Sequence, residues 1–110
     1  MAGSDSGAYN SYVYPGSSLH GELQEMIDIG MTPLEALQSS ILNGARYFGL
    51  QDSIGQIAPG YVADLILLKE NPLEDIEHVR SLEYVIQGTR VHSTTALAEK
   101  VGCTNCLLPK

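Results

Sequence analysis

The spacing of apolar residues changes once along this chain, at Gly49, and that change limits the fold more than any other feature. Before it the period is helical. Leu19, Leu23, Met26 and Ile27 share one helical face, which predicts a helix over 19–29, and Gly30 stands where a left-handed C-terminal cap is wanted. Thr32-Pro33-Leu34-Glu35 then supplies an N-cap hydroxyl, a proline at the first helical position and a glutamate at the third. Leu34, Leu37, Ile41 and Ala45 continue as an apolar stripe, so a single helix is expected over 33–48.

Beyond Gly49 the signals are those of strands and turns. Residues 55–57 read as a short β-like piece, and Pro59-Gly60 as a turn. The compact run 63–68, Ala-Asp-Leu-Ile-Leu-Leu, suits a strand buried on both faces. Asp64 lies inside that run. A buried carboxylate is costly unless hydrogen bonded, so Asp64 is read as structural, paired with backbone N–H groups near the Gly60 turn. Asn71-Pro72 ends the run, and 73–79 is expected to hold a helical turn. Residues 83–87 and 89–92 form a predicted hairpin around Gly88, and 96–101 carries a weak helical pattern. Helices first and strands afterwards, without alternation, make the expected class α+β.

Thirteen acidic against six basic residues give a net charge of -7, which excludes phosphate recognition by clustered Lys and Arg and binding to an anionic membrane. Nucleic acid and membrane are therefore not expected partners. No apolar run approaches the roughly 18 residues of a membrane span, and the opening MAGSDSGAYN has neither the basic nor the apolar region of a secretory signal. Two cysteines, Cys103 and Cys106, are too few for a disulfide scaffold, so a cytoplasmic chain is expected. Their spacing matches half a zinc knuckle or a redox pair. No second pair completes either motif, and chance or a chain-end feature is the preferred reading.

Several segments taken in order resemble the metal-dependent amidohydrolases. Gly3-Ser-Asp5-Ser-Gly7 is similar to the turn that follows the eighth barrel strand of that family. His20-Gly-Glu22-Leu23, Gly30 to Pro33, Glu35-Ala-Leu37 and Asn43-Gly-Ala45 resemble the helices after it. Gly55-Gln-Ile57, Pro59-Gly60, Ala63-Asp64-Leu65, Asn71-Pro72-Leu73 and 85–91 resemble the closing segment. The likeness covers residues 2–93 and looks nearest to imidazolonepropionase-like and Xaa-Pro dipeptidase-like members.

The resemblance implies a (β/α)8 barrel with a composite β-sandwich. Residues 1–50 would supply the barrel end (the loop after the eighth strand and two helices), 51–93 the sandwich strands and 94–110 a tail. It also implies hydrolysis of an amide or cyclic-amide C–N bond by water activated on a divalent, zinc-like metal, with Asp5 as metal ligand and general base. Nothing in the chain matches the family's paired histidines of the first strand, its bridging lysine or its two later histidines. Asp5 alone cannot hold a catalytic ion, because such sites take three or more protein ligands. The isolated chain is therefore expected to be inactive and to hold no metal.

His20 is the candidate substrate-binding residue or second ligand, set against the plainer reading of a capping or surface histidine. His78 and His92 fall in the strand-rich part and are not ligand candidates, and Glu22 and Glu25 read as a solvated helix face. The expected partner is a second copy in a homodimer or the missing N-terminal barrel portion. The competing reading is a non-catalytic remnant or interaction domain that self-associates.

Overall fold

The computed structural model describes residues 2–3, 16–100 and 102, and combines helices with a small sheet. Asp5, Cys103 and Cys106 lie outside the described residues. In order come α1 (Ser17–Asp28), α2 (Pro33–Ser40), α3 (Leu42–Tyr47), β1 (Asp64–Leu68), a 3-10 turn (Ile76–Arg80), β2 (Leu82–Gln87), β3 (Arg90–Ser93) and α4 (Thr94–Lys100).

The start of α2 is as read. Thr32 Oγ1 accepts from the Glu35 N–H at 3.3 Å, while the Thr32 N–H donates to Glu35 Oε2 at 2.8 Å, a complete capping box with Pro33 behind it. The expected single helix over 33–48 is instead broken at Ile41, whose φ of -103° and ψ of -65° depart from the helical mean. The hydrogen bonds Ile41 N–H to Leu37 O and Ala45 N–H to Ile41 O persist, so the chain bends without being released. Ser39, Ser40, Asn43 and Gly44 around the break are all weak helix formers. The bend also changes which face is covered. Ala36 and Ser39 are buried, whereas the stripe residues Leu34 and Ile41 stand about half exposed.

Leu23 of α1 and Ala36 of α2 meet Ile76 and Val79 of the 3-10 turn in one core, with Met26, Ile27 and Leu37 packed against it. The 3-10 turn begins at Asp75, whose side chain accepts from the Glu77 N–H at 2.9 Å.

The sheet is an antiparallel meander in the order β1-β2-β3. Asp64 pairs with Gln87 and Leu67 with Tyr84, before a register shift between Leu67 and Leu68. Gly88 turns the expected hairpin with a φ of 59°, a region that glycine enters without strain. Residues 55–57 form no strand but an irregular stretch in which Gly55 takes a φ of 85°.

β1 does not meet the expectation of a strand buried on both faces, because Ile66 is 57% and Leu67 48% exposed. The reason is its place: β1 is an edge strand, and only Leu65 and Leu68 of it are half-buried. Asp64 is correspondingly exposed and needs no buried backbone partner, against the reading above. No helix of the described residues is long and apolar enough to cross a membrane.

Candidate functional site

His20 sits in the first turns of α1, and the packing of that helix against the 3-10 turn brings Arg80 to it. Arg80 Nη1 lies 3.5 Å from His20 Nδ1, and Arg80 Nε donates to Glu77 Oε2 at 2.7 Å. The three side chains thus form a chain from carboxylate to guanidinium to imidazole. His20 is half-buried, and its pKa is lowered by burial first and by the Arg80 charge second, with Glu77 opposing. Burial and the neighbouring cation both favour the neutral form of His20.

That arrangement does not suit a metal ligand. A guanidinium at the ring would repel a divalent ion, and among the described residues no three His, Cys, Asp or Glu side chains come together to hold one. The buried Ser18 hydroxyl, which has no hydrogen-bond partner among the described residues, offers a single neutral oxygen. The described residues therefore do not fit the divalent metal that the family resemblance implies.

His78 is differently placed. Its Nδ1 lies 2.8 Å from the Asn71 carbonyl oxygen, and Nε2 is 4.0 Å from Glu70. The Asn71 contact raises its pKa, with Glu70, Asp75 and Glu74 adding to the rise. Ser81 Oγ donates to the His78 carbonyl and accepts from the Glu70 N–H, so His78 belongs to a latch across residues 69–81. His92 is half-buried on β3, opposite Val85.

A separate groove of about 240 Å³ lies beside β1, lined by Ile41, Gly55, Ile57, Val62, Leu65 and Ile66, with Gln56 and Asp64 as its polar members. It contains no pair of titratable groups able to act as acid and base.

Arg80 and Glu77 escaped the sequence reading. Their spacing of three in a helical turn is visible, but their approach to His20 depends on tertiary packing between distant segments. Asp5, the other predicted site residue, lies outside the described residues, so its distance from His20 does not enter.

The model of the Amidohydrolase family matches residues 1–95. The chain belongs to the amidohydrolase family. Ochratoxinase of Aspergillus niger is 46% identical over 65 residues, which span 57% of this chain and 14% of that relative. Adenine deaminase of Paracoccus denitrificans is 39% identical over 91 residues, 80% of this chain and again 14% of the relative. Among solved structures, a Xaa-Pro dipeptidase with methionine bound in its active site superposes with a TM-score of 0.68 at 31% identity, over 74% of this chain and 20% of that one. Molinate hydrolase superposes with a TM-score of 0.65 at 27% identity, over 83% of this chain and 18% of the other. The chain thus spans a small part of each of these relatives, and the mixed helix-and-strand fold is similar to that of the corresponding part.

Proposed function

We propose that this chain is the C-terminal part of an amidohydrolase that cleaves the C–N bond of a small amide or cyclic amide with water. The observation that carries this reading is the family match over residues 1–95, which includes Asp5 and the helix that bears His20. In such a reaction the water oxygen bonds to the amide carbon, the C–N bond breaks and a proton passes to the leaving nitrogen. Asp5 is the residue proposed to accept the proton of the attacking water. His20 is proposed to bind substrate at the start of α1.

A divalent ion belongs to the family's chemistry, and the described residues do not supply its ligands. Residues 1–50 are proposed as the end of the barrel and 51–93 as strands of the composite sandwich. On this reading the 110-residue chain alone hydrolyses no dipeptide, hydantoin or lactam, with or without added zinc or manganese.

The test is a graft. Residues 2–93 replace the matching segment of the Xaa-Pro dipeptidase, and dipeptide hydrolysis is measured. An active graft that is silenced by Asp5→Ala supports the proposal. A folded but inactive graft, or one indifferent to Asp5→Ala, sinks it.

A second reading, a self-associating interaction domain, is favoured by the open edge of β1 with Ile66 and Leu67 exposed and Ile57 89% exposed nearby. A specific dimer would bury on the order of 1,500 Å². Light scattering at micromolar concentration decides this: a dimer dispersed by Ile66→Lys supports it, and a monomer rejects it.

A further inference from the structure

We propose that Arg80 is a positioning residue that fixes His20 as a neutral imidazole protonated at Nε2, ready to donate one hydrogen bond. The argument rests on donor chemistry. A guanidinium carries N–H groups and no acceptor, so a ring nitrogen that faces it favourably must present its lone pair. Nδ1 is the nitrogen that faces Arg80, at 3.5 Å. In a neutral ring the proton then resides on Nε2, across the ring from Arg80.

Glu77 makes the arrangement durable. Its carboxylate holds Arg80 Nε at 2.7 Å and leaves the terminal Nη1 for His20. Glu77 and Arg80 stand three positions apart in one helical turn, so the clamp forms locally and is then carried to α1 by the packing of Ile76 and Val79 against Leu23. The burial of His20 favours the same neutral form.

The consequence for function rests on the reading given above. A neutral Nε2–H in front of an amide substrate binds an oxygen acceptor, a carbonyl or a carboxylate, without competing for the proton that moves in the reaction. Neither role calls for an ionised imidazole.

His78 serves as an internal control. Its Nδ1 faces a carbonyl oxygen, which only accepts, so His78 must carry its proton on Nδ1 when neutral. The two histidines are thus assigned opposite tautomers within one chain.

Nitrogen-15 NMR of the imidazoles of the full chain, above the titration range, reads this directly. The expected result is Nε2–H at His20 and Nδ1–H at His78. In Arg80→Ala the His20 signals move toward a tautomer mixture and its midpoint rises, while His78 is unmoved. Should Arg80→Ala fail to fold, Arg80→Lys and Glu77→Gln carry the tautomer test, each loosening the fork and moving the His20 ring toward a mixture, with no rise of the midpoint expected in Glu77→Gln because the Glu77 charge itself raises the His20 pKa. A His20 ring protonated on Nδ1, or one indifferent to every folded Arg80 or Glu77 variant, overturns the positioning role.

The substrate half is read in the active graft. A glutamine amide nitrogen lies near the place of Nε2 and an asparagine amide nitrogen near that of Nδ1. Both replacements raise KM, and His20→Asn is expected to raise it about tenfold more than His20→Gln. Equal losses reject the Nε2 donor. A graft without activity rejects the enzymatic reading and the substrate role together, and leaves the NMR assignment standing.

Discussion

The helical part of this molecule closes a buried apolar core, and the sheet does not. Leu23, Ala36, Ile76 and Val79 are each less than a tenth exposed, and they come from two helices and a 3-10 turn widely separated in the chain. None of the buried apolar residues lies in β1, β2 or β3. Val91 is 64% and Ile66 57% exposed although both sit in strands. The difference teaches where the chain's own stability resides. The core is closed between α1, α2 and the 3-10 turn, whereas the sheet presents edges and faces of the kind that another layer normally covers.

The sharpest way to break this comparison is to delete one side chain on each side. Leu23→Ala opens a cavity where Leu23 meets the 3-10 turn, and a loss of about 2–5 kcal/mol is expected. A chain of this size has only about 5–15 kcal/mol in total, so a melt of Leu23→Ala is expected to start at markedly lower temperature. Ile66→Ala on β1 removes as much hydrocarbon and is expected to cost less than about 1 kcal/mol, because much of the side chain already meets water. Chemical denaturation of both variants checks the order. Equal losses would mean that the sheet holds the fold as firmly as the helices do.

The next largest effect tests the joint between the two parts. Gly55 has a φ of 85°, and a Cβ there would lie 3.4 Å from both the Ala45 Cβ and the Ile41 carbonyl oxygen. Gly55→Ala therefore meets an unfavourable backbone region and a close neighbour together, for an expected loss of about 1–2 kcal/mol. Gly88→Ala has the same backbone problem with open space around it, so it should cost less. If Gly88→Ala costs as much, the approach of Gly55 to the bend at Ile41 contributes nothing.

Much of this division was legible in the sequence, and the exceptions share one cause. Local signals were read correctly: the capping box at Thr32, the first helix and the hairpin around Gly88 each depend on residues close together in the chain. The bend at Ile41 was not, since an unbroken stripe of Leu34, Leu37, Ile41 and Ala45 gives no sign that the helix will turn its Ala36 and Ser39 face inward. The burial of 63–68 was overread for a similar reason. An apolar run tells that a strand wants cover on both faces, not that cover is supplied. In the site, His20 could be singled out from its own neighbourhood, while Arg80 reached it only through the long-range packing of the core.

A smaller effect belongs wholly to the helical part. Thr32→Ala removes the hydroxyl that caps the Glu35 N–H and is expected to cost about 1 kcal/mol. The Thr32 contacts also lower the pKa of Glu35, through the backbone N–H first and the hydroxyl second. A carboxylate held low contributes stability above its unfolded pKa and loses it as the pH falls through the folded one. Thr32→Ala removes the smaller, hydroxyl part and should therefore partly flatten the acid limb of the stability profile as well as lower the midpoint, and an unchanged acid limb would deny the hydroxyl its electrostatic part.

The smallest effect separates the two histidines by sign. His78 has its pKa raised from 6.5, chiefly by the Asn71 carbonyl. Between the unfolded and the folded value the native state holds the extra proton, so the stabilisation is complete below 6.5 and is lost as the pH rises through the folded pKa. His20 has its pKa lowered from 6.5 by burial and by Arg80. There the unfolded state holds the extra proton, so stability is complete above 6.5 and falls as the pH drops toward the folded value. The two contributions act on opposite sides of one pH and partly hide each other in a melt of the whole chain. Single replacements expose them. His20→Gln should flatten the profile below 6.5 and leave the limb above it, while His78→Gln should do the reverse. Proton NMR titration of the two rings gives the independent check, with midpoints expected on either side of 6.5. Coincident midpoints would mean that neither the Arg80 contact nor the Asn71 latch persists in solution, and the electrostatic distinction between the α1 site and the 69–81 latch would go with them.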